Sequence, residues 1–189
     1  MSRSRGALYG DRRNGRRTWL LAALGAVVGL VLLLLLVGML LPRQHTARAT
    51  IELAASPDRV WAVVSDFGGT ARWRRDVESV RLETVPGGPI RFTETSDEGE
   101  IPFEVVSQDP PRRQVVRVID DGLPFGGSWT WELVPMGTGT GLTLTEDGFT
   151  RNPVYRALGL VFFRPTASIA RYLGALATAL GEEAEPVVR

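Results

Sequence analysis

The chain has 189 residues, a net charge of +1, one histidine and no cysteine. That excludes disulfides, thiolate chemistry and cysteine-ligated metals, and a lone His45 leaves no histidine-rich metal site. All 22 basic residues are arginine, and seven of them (Arg3, Arg5, Arg12, Arg13, Arg16, Arg17 and Arg43) precede residue 47 with only Asp11 to balance them. The remainder carries 15 arginines against 20 acids, an acidic balance that argues against nucleic acid as a partner.

Residues 1–17 read as a basic cytoplasmic tail. Residues 18–41 form 24 uncharged positions rich in Leu and Val, more than the roughly 20 needed to cross the hydrocarbon core. Ala47-Arg48-Ala49 has the look of a signal-peptide cleavage site, but the run exceeds a usual signal core and Ala47 stands well beyond it, so an uncleaved signal anchor is expected. Six arginines before the span against Arg43 and Arg48 after it predict a cytoplasmic N-terminus and an extracytoplasmic domain on the cell membrane. The same arginines can attract anionic headgroups. Residues 42–46 are the whole linker, reaching at most about 17 Å, so the domain sits on the membrane surface.

The domain itself is expected over residues 47–183, with a flexible tail at 184–189. Ala47, Ala49, Ile51 and Leu53 alternate with polar residues, the pattern of a half-buried strand. Ser56-Pro57-Asp58 opens a short helix with Val60, Trp61, Val63 and Val64 inward and Gly68-Gly69 as its stop, and Thr70–Trp73 suits one further turn. Strands follow at short spacing, as consecutive antiparallel pairing requires: Glu78–Leu82, Ile90–Phe92, Ile101–Val105, Val115–Ile119, Trp129–Leu133 and Leu142–Leu144, divided by Pro, Gly and Asp turns. Asn152-Pro153 starts a helix and Gly181 ends it. Leu158, Phe162, Ile169, Leu173, Leu176 and Leu180 form its apolar face, Arg156, Arg164 and Arg171 the opposite one, and Pro165 is expected to kink it. The strands are expected to curl around this helix.

This order resembles the START-like, or polyketide cyclase, superfamily. The resemblance rests on Ser56-Pro57-Asp58-Arg59-Val60-Trp61 with Asp66-Phe67, on Trp73-Arg74, on Ser128–Leu133 through Gly139-Thr140, and on Thr145-Glu146-Asp147-Gly148 before Asn152-Pro153. It implies an α+β helix-grip fold, a curved antiparallel sheet of about seven strands around a long C-terminal helix, with an apolar cavity between them. The N-terminal membrane span is an addition to the simplest members.

Strand parity puts Phe92, Phe103, Trp129, Trp131, Leu142 and Leu144 on the inner wall, joined by Phe162 and Ile169 from the helix. They line a ligand cavity or simply fill a core. Glu94 and Glu146 continue the inner parity and are the candidate acids or bases; pairing with an arginine, Arg117 among them, is the alternative use. Leu123 and Phe125, in a Gly-rich loop, are the candidate gate. Gly137–Gly141 lacks the Lys and following helix of a phosphate loop and reads as a hairpin turn. His45 and the acids Glu182, Glu183 and Glu185 read as solvated, and Asp120-Asp121 as a turn. No cofactor or metal is implied. The expected function is a membrane-anchored module binding a lipid or other apolar small molecule. A cyclase or dehydratase-type enzyme using an inward carboxylate and a non-catalytic envelope scaffold remain open, with no particular protein partner indicated.

Overall fold

The structure is a computed structural model that describes residues 11–83, 86–97, 99–162 and 165–188. It is α+β. A long helix α1 (Asp11–Leu40) leads into β1 (Gln44–Leu53), α2 (Pro57–Val64) and a short 3-10 helix (Phe67–Arg72). Six strands follow: β2 (Ser79–Glu83), β3 (Arg91–Ser96), β4 (Gly99–Asp109), β5 (Arg113–Val118), β6 (Phe125–Met136) and β7 (Gly139–Thr150). Then come α3 (Pro153–Phe162), α4 (Pro165–Leu180) and β8 (Val187–Val188). The strands form one antiparallel sheet in the order β2-β3-β4-β5-β6-β7-β1-β8.

α1 holds one stretch, Thr18–Leu40, long and apolar enough to cross a membrane, with a mean hydropathy of 3.1. Most of its apolar side chains are exposed, among them Trp19, Leu24, Leu30 and Leu40. A soluble helix would bury such a stripe against a core. β1 begins at Gln44 rather than at Ala47, so three residues, Leu41 to Arg43, separate it from α1.

The core lies between the inner face of the sheet and α4. Ile169, Leu173, Leu176, Ala177 and Leu180 of α4 are buried with Ala49, Ile51, Leu53, Leu133, Leu142 and Leu144 of the strands, and Val60 and Val64 of α2. Buried polar groups stitch the layers together. Gln114 donates to the Val64 carbonyl at 3.0 Å, and Thr140 Oγ1 to the Ala55 carbonyl at 2.7 Å. Buried donors and acceptors need such partners.

Several expectations change here. The C-terminal helix is described in two parts, α3 up to Phe162 and α4 from Pro165. The Phe162 side chain, Arg164 and any kink at 163–164 lie outside the described residues. Asn152 caps α3 as expected, its Oδ1 accepting from the Val154 amide at 2.8 Å, and Gly181 ends α4 at φ +80°. Among the described residues, α4 makes the main helix contact with the sheet. α3 packs chiefly along α1, which leaves Leu158 38% exposed and buries Arg156 instead of solvating it.

Residues 187–188 of the anticipated tail pair with Ala49 and Thr50. Glu182 is not a solvated acid: its carboxylate accepts from the Ala54 and Ala55 amides at 2.6 and 2.8 Å, clipping the end of α4 to the start of α2. Phe125 to Gly127, anticipated as loop, form the first residues of β6, paired with Thr150 to Gly148. Gly126 is needed there because the Phe149 ring lies against its backbone where a Cβ would stand.

Candidate functional site

The inner wall is an aromatic ladder. Phe92 faces Phe103 across β3 and β4, with rings stacked 5.1 Å apart. Phe67 stacks on the other side of Phe92 at 4.4 Å, and Trp129 meets Phe103 edge-on at 5.7 Å. All six strand residues expected on this wall pack in the core or against it. They divide into two groups, however. Leu142 and Leu144 are fully covered, and Phe92, Phe103 and Trp131 nearly so, whereas Ile101 on β4, Val118 on β5 and Trp129 on β6 are only half-buried. Ile169 lies in the covered part. The wall therefore opens toward β4, β5 and the start of β6.

At the edge of this wall stands a polar cluster. Arg74, just after the 3-10 helix, donates from Nη1 to both Glu94 oxygens at 3.1 Å. It also donates from Nη2 to Asp76 Oδ2 at 2.6 Å. Its guanidinium lies 5.5 Å from the centre of the Tyr172 ring. Tyr172, on α4, accepts from Trp131 Nε1 at 3.1 Å and meets Trp73 edge-on at 5.3 Å. Two aromatic planes and a cation thus hold one phenol in place.

Electrostatics follow from this burial. Burial pushes the Glu94 carboxyl above the usual carboxylate range, against the pull of Arg74. Burial also opposes ionisation of Asp76, but the Arg74 hydrogen bond and charge outweigh it and hold that carboxyl low. Burial works against the Arg74 charge too, and the bond to Asp76 with the charge of Glu94 more than restores it. Tyr172 is raised well above its ordinary value, chiefly by burial. A neutral phenol fixed beside a carboxylate and a guanidinium can donate or accept a hydrogen bond to a ligand's polar end.

Glu94 faces inward as expected, but its partner is Arg74. Arg117 points to the outer face, where it and Arg91 clasp Glu104 at 2.7 and 2.8 Å and hold that carboxyl below its usual range. The inward parity of β5 is Gln114, Val116 and Val118, one residue out of step with the expected Val115–Ile119. A register shift on β4 between Val105 and Ser107 underlies the pairing with β5, and such bulges re-aim side chains and increase twist.

Glu146 is buried on the inner face, opposite Trp129 on β6 and Ala47 on β1. Its partner is His45, Nε2 to Oε1 at 3.3 Å, a residue the sequence suggested was solvated linker. The imidazole rests on Gly148, where any Cβ would collide with it. Glu94 and Glu146 stand on β3 and β7, with three strands between them, and each has its own partner, Arg74 and His45. Arg74 stood out in the sequence only within the Trp73-Arg74 motif. Tyr172 went unremarked, although it stands three residues after Ile169 and four before Leu176, on the inner helical face.

The anticipated gate is strapped down. Arg151 donates from Nη1 to the Asp121 and Leu123 carbonyls at 3.2 and 3.1 Å and from Nη2 to Asp121 Oδ1 at 2.8 Å. Phe125 lies in β6, and the Pro124 carbonyl accepts from the Arg151 amide at 2.8 Å. Two open surface hollows lie away from the sheet–helix interior. One of ≈ 500 Å³ is lined by Glu52, Leu53, Ala54, Met136, Gly137 and Thr140, and one of ≈ 390 Å³ lies beside the Arg91–Glu104–Arg117 cluster. Among the described residues no group of acids and histidines could hold a metal ion.

An antiparallel sheet closed on a C-terminal helix, with an aromatic inner wall and a flanking arginine, defines the helix-grip class. Residues 44–181 match the family described as polyketide cyclase / dehydrase and lipid transport, and the chain belongs to that family. Among solved structures it is similar to the Zhui aromatase/cyclase of a Streptomyces species, at 21% identity and TM-score 0.61, covering 72% of this chain and 94% of that one. A protein of Thermus thermophilus is similar at 22% identity and TM-score 0.60, covering 71% and 95%. Norcoclaurine synthase from Thalictrum flavum is similar at 17% identity and TM-score 0.56, covering 74% and 88%. At these identities the likeness is one of fold. No curated protein matches the chain.

Proposed function

We propose that this protein is a membrane-anchored binding module that holds a small, largely apolar molecule against the half-open part of its inner wall. The observation that carries the reading is the continuity of Ile101, Val118 and Trp129, half-buried on the inner face, with the Arg74–Glu94–Tyr172 cluster. Apolar surface with a few convergent polar groups is the usual composition of a small-molecule site. The ligand's apolar body would lie on Phe103 and Trp129, and its polar end would meet Tyr172 or Arg74. The anchor is Thr18–Leu40, and the arginine imbalance around it supports a cytoplasmic N-terminus and an extracytoplasmic domain.

Binding is favoured over catalysis because each inward carboxylate is already engaged, Glu94 by Arg74 and Glu146 by His45. The names of two neighbours, an aromatase/cyclase and a synthase, keep an enzymatic reading in view. The specific feature that favours it is the His45–Glu146 pair beside Trp129. The test is titration of the full-length protein in detergent with fluorescent fatty-acid and sterol analogues, alongside Trp129→Ala. Saturable binding weakened at least about tenfold by the substitution supports the reading. Absence of binding by every analogue refutes it.

A further inference from the structure

α3 has an unusual position for a helix of this domain. Its smaller contact is with β7; its main one is with α1. A Cβ on Gly38 would overlap the Pro153 carbonyl, so the two backbones touch where α3 begins. Arg156 secures the contact. It is 8% exposed, and its Nε donates to the Gly38 carbonyl at 2.7 Å while Nη1 donates to the Thr150 and Arg151 carbonyls at 3.0 and 3.2 Å. The Gly38 carbonyl is among the last four of α1, which have no partner inside the helix and attract a cation.

The contact runs back along α1. Leu34, Leu35 and Val37 are partly covered and Gly38 fully, while Leu32, Leu33, Leu36, Met39 and Leu40 are exposed. Leu34 to Leu40 spans about 9 Å of helix. A helix lying beside this stretch shares its depth. The outward residues of α3 suit that depth: Tyr155, Leu158 and Leu160 are 55%, 38% and 65% exposed. Its one charged side chain, Arg156, is turned onto carbonyls. A segment entering lipid must satisfy its backbone and its charges internally, and a tyrosine favours the interface.

We infer that α3 is a second membrane element, embedded in the same leaflet as the C-terminal end of α1, with Tyr155, Leu158 and Leu160 on lipid. The inference rests on the proposal that α1 crosses the membrane. It makes the bilayer the partner of this face and fixes the domain's orientation, because Arg156 joins α1, the end of β7 and α3 in one cluster. The loop at Asp121 to Pro124, tied to Arg151, the residue just before Asn152, would then lie beside the leaflet.

The absence of cysteine allows single nitroxide labels on the full-length protein in phosphatidylcholine–phosphatidylglycerol vesicles. Labels at Leu160→Cys, Leu33→Cys and Val134→Cys are compared for collision with oxygen, which enters lipid, and with a water-soluble nickel complex. The expected result is that Leu160→Cys loses nickel collisions and keeps oxygen collisions, as Leu33→Cys does, with the reverse at Val134→Cys. Nickel access at Leu160→Cys with protection at Leu33→Cys overturns the inference and leaves the α1 anchor standing. Nickel access at both overturns the anchor and the inference together. An efficient disulfide-linked dimer through Leu160→Cys without lipid protection assigns the face to a second copy and also overturns it.

Discussion

Leu173→Ala tests the packing of α4 with a magnitude that the structure sets. Leu173 is 0% exposed, in the row formed by Ile169, Leu176, Ala177 and Leu180. Truncating a fully buried leucine removes its transfer energy and leaves a cavity that neighbours fill only in part, about 3–4 kcal/mol. For a domain of this size, that lowers the melting temperature by roughly 10–15 °C. Arg171, two residues away, is exposed, and Arg171→Ala should stay within about 0.5 kcal/mol. Thermal melts of the full-length protein in detergent, followed by near-ultraviolet circular dichroism of the tryptophans, report the loss of packing. Equal shifts for the two substitutions would refute the assignment of the inner face of α4.

Tyr172→Phe removes the acceptor of Trp131 Nε1 and should cost about 1–2 kcal/mol in denaturant titrations; an unchanged midpoint would mean the bond contributes nothing. Because burial raises the Tyr172 pKa, its contribution to stability is complete below the ordinary tyrosine value near 10 and is lost as pH rises from there toward the folded value. Wild type minus Tyr172→Phe should therefore show no tyrosinate absorbance in the folded protein at pH about 11, and early ionisation would contradict the burial. Gly38→Leu cannot keep the Pro153 contact, so it should separate α3 from α1 and open Arg156 to trypsin. An unaltered cleavage pattern would mean that the two helices do not depend on that contact.

Much of the fold was legible because its signals are local. Alternation in β1, β3, β4, β6 and β7 follows from one buried and one open sheet face, and Phe92, Phe103 and Trp131 fell on the correct side for that reason. The Ile169–Leu180 spacing identified α4 in the same way. What escaped depends on partners distant in sequence. Arg156 reads as a solvated polar-face residue until Gly38, 118 positions earlier, supplies its acceptor. His45 has no chemistry of its own neighbourhood and acquires it only when β1 pairs with β7. Arg117 was misassigned because Val115 and Val116 make either parity of β5 look apolar. Phe125–Gly127 resembled a loop because two glycines weaken a strand signal, and only the Phe149 ring over Gly126 and the β7 backbone against Gly127 show why they are there. Glu94 was legible as an inward acid, but its Arg74 partner lies across the fold.

The central claim is that an apolar molecule occupies the half-open wall at Ile101, Val118 and Trp129. Native mass spectrometry of the full-length protein released from detergent tests it most directly, with Ile101→Trp as the comparison, since a larger side chain there would occupy the proposed space without disturbing the covered core around Leu142. The account predicts a bound small molecule on the wild type that is absent from a folded Ile101→Trp. Wild type carrying no bound mass after purification, and acquiring none when incubated with extracted membrane lipids, would contradict it.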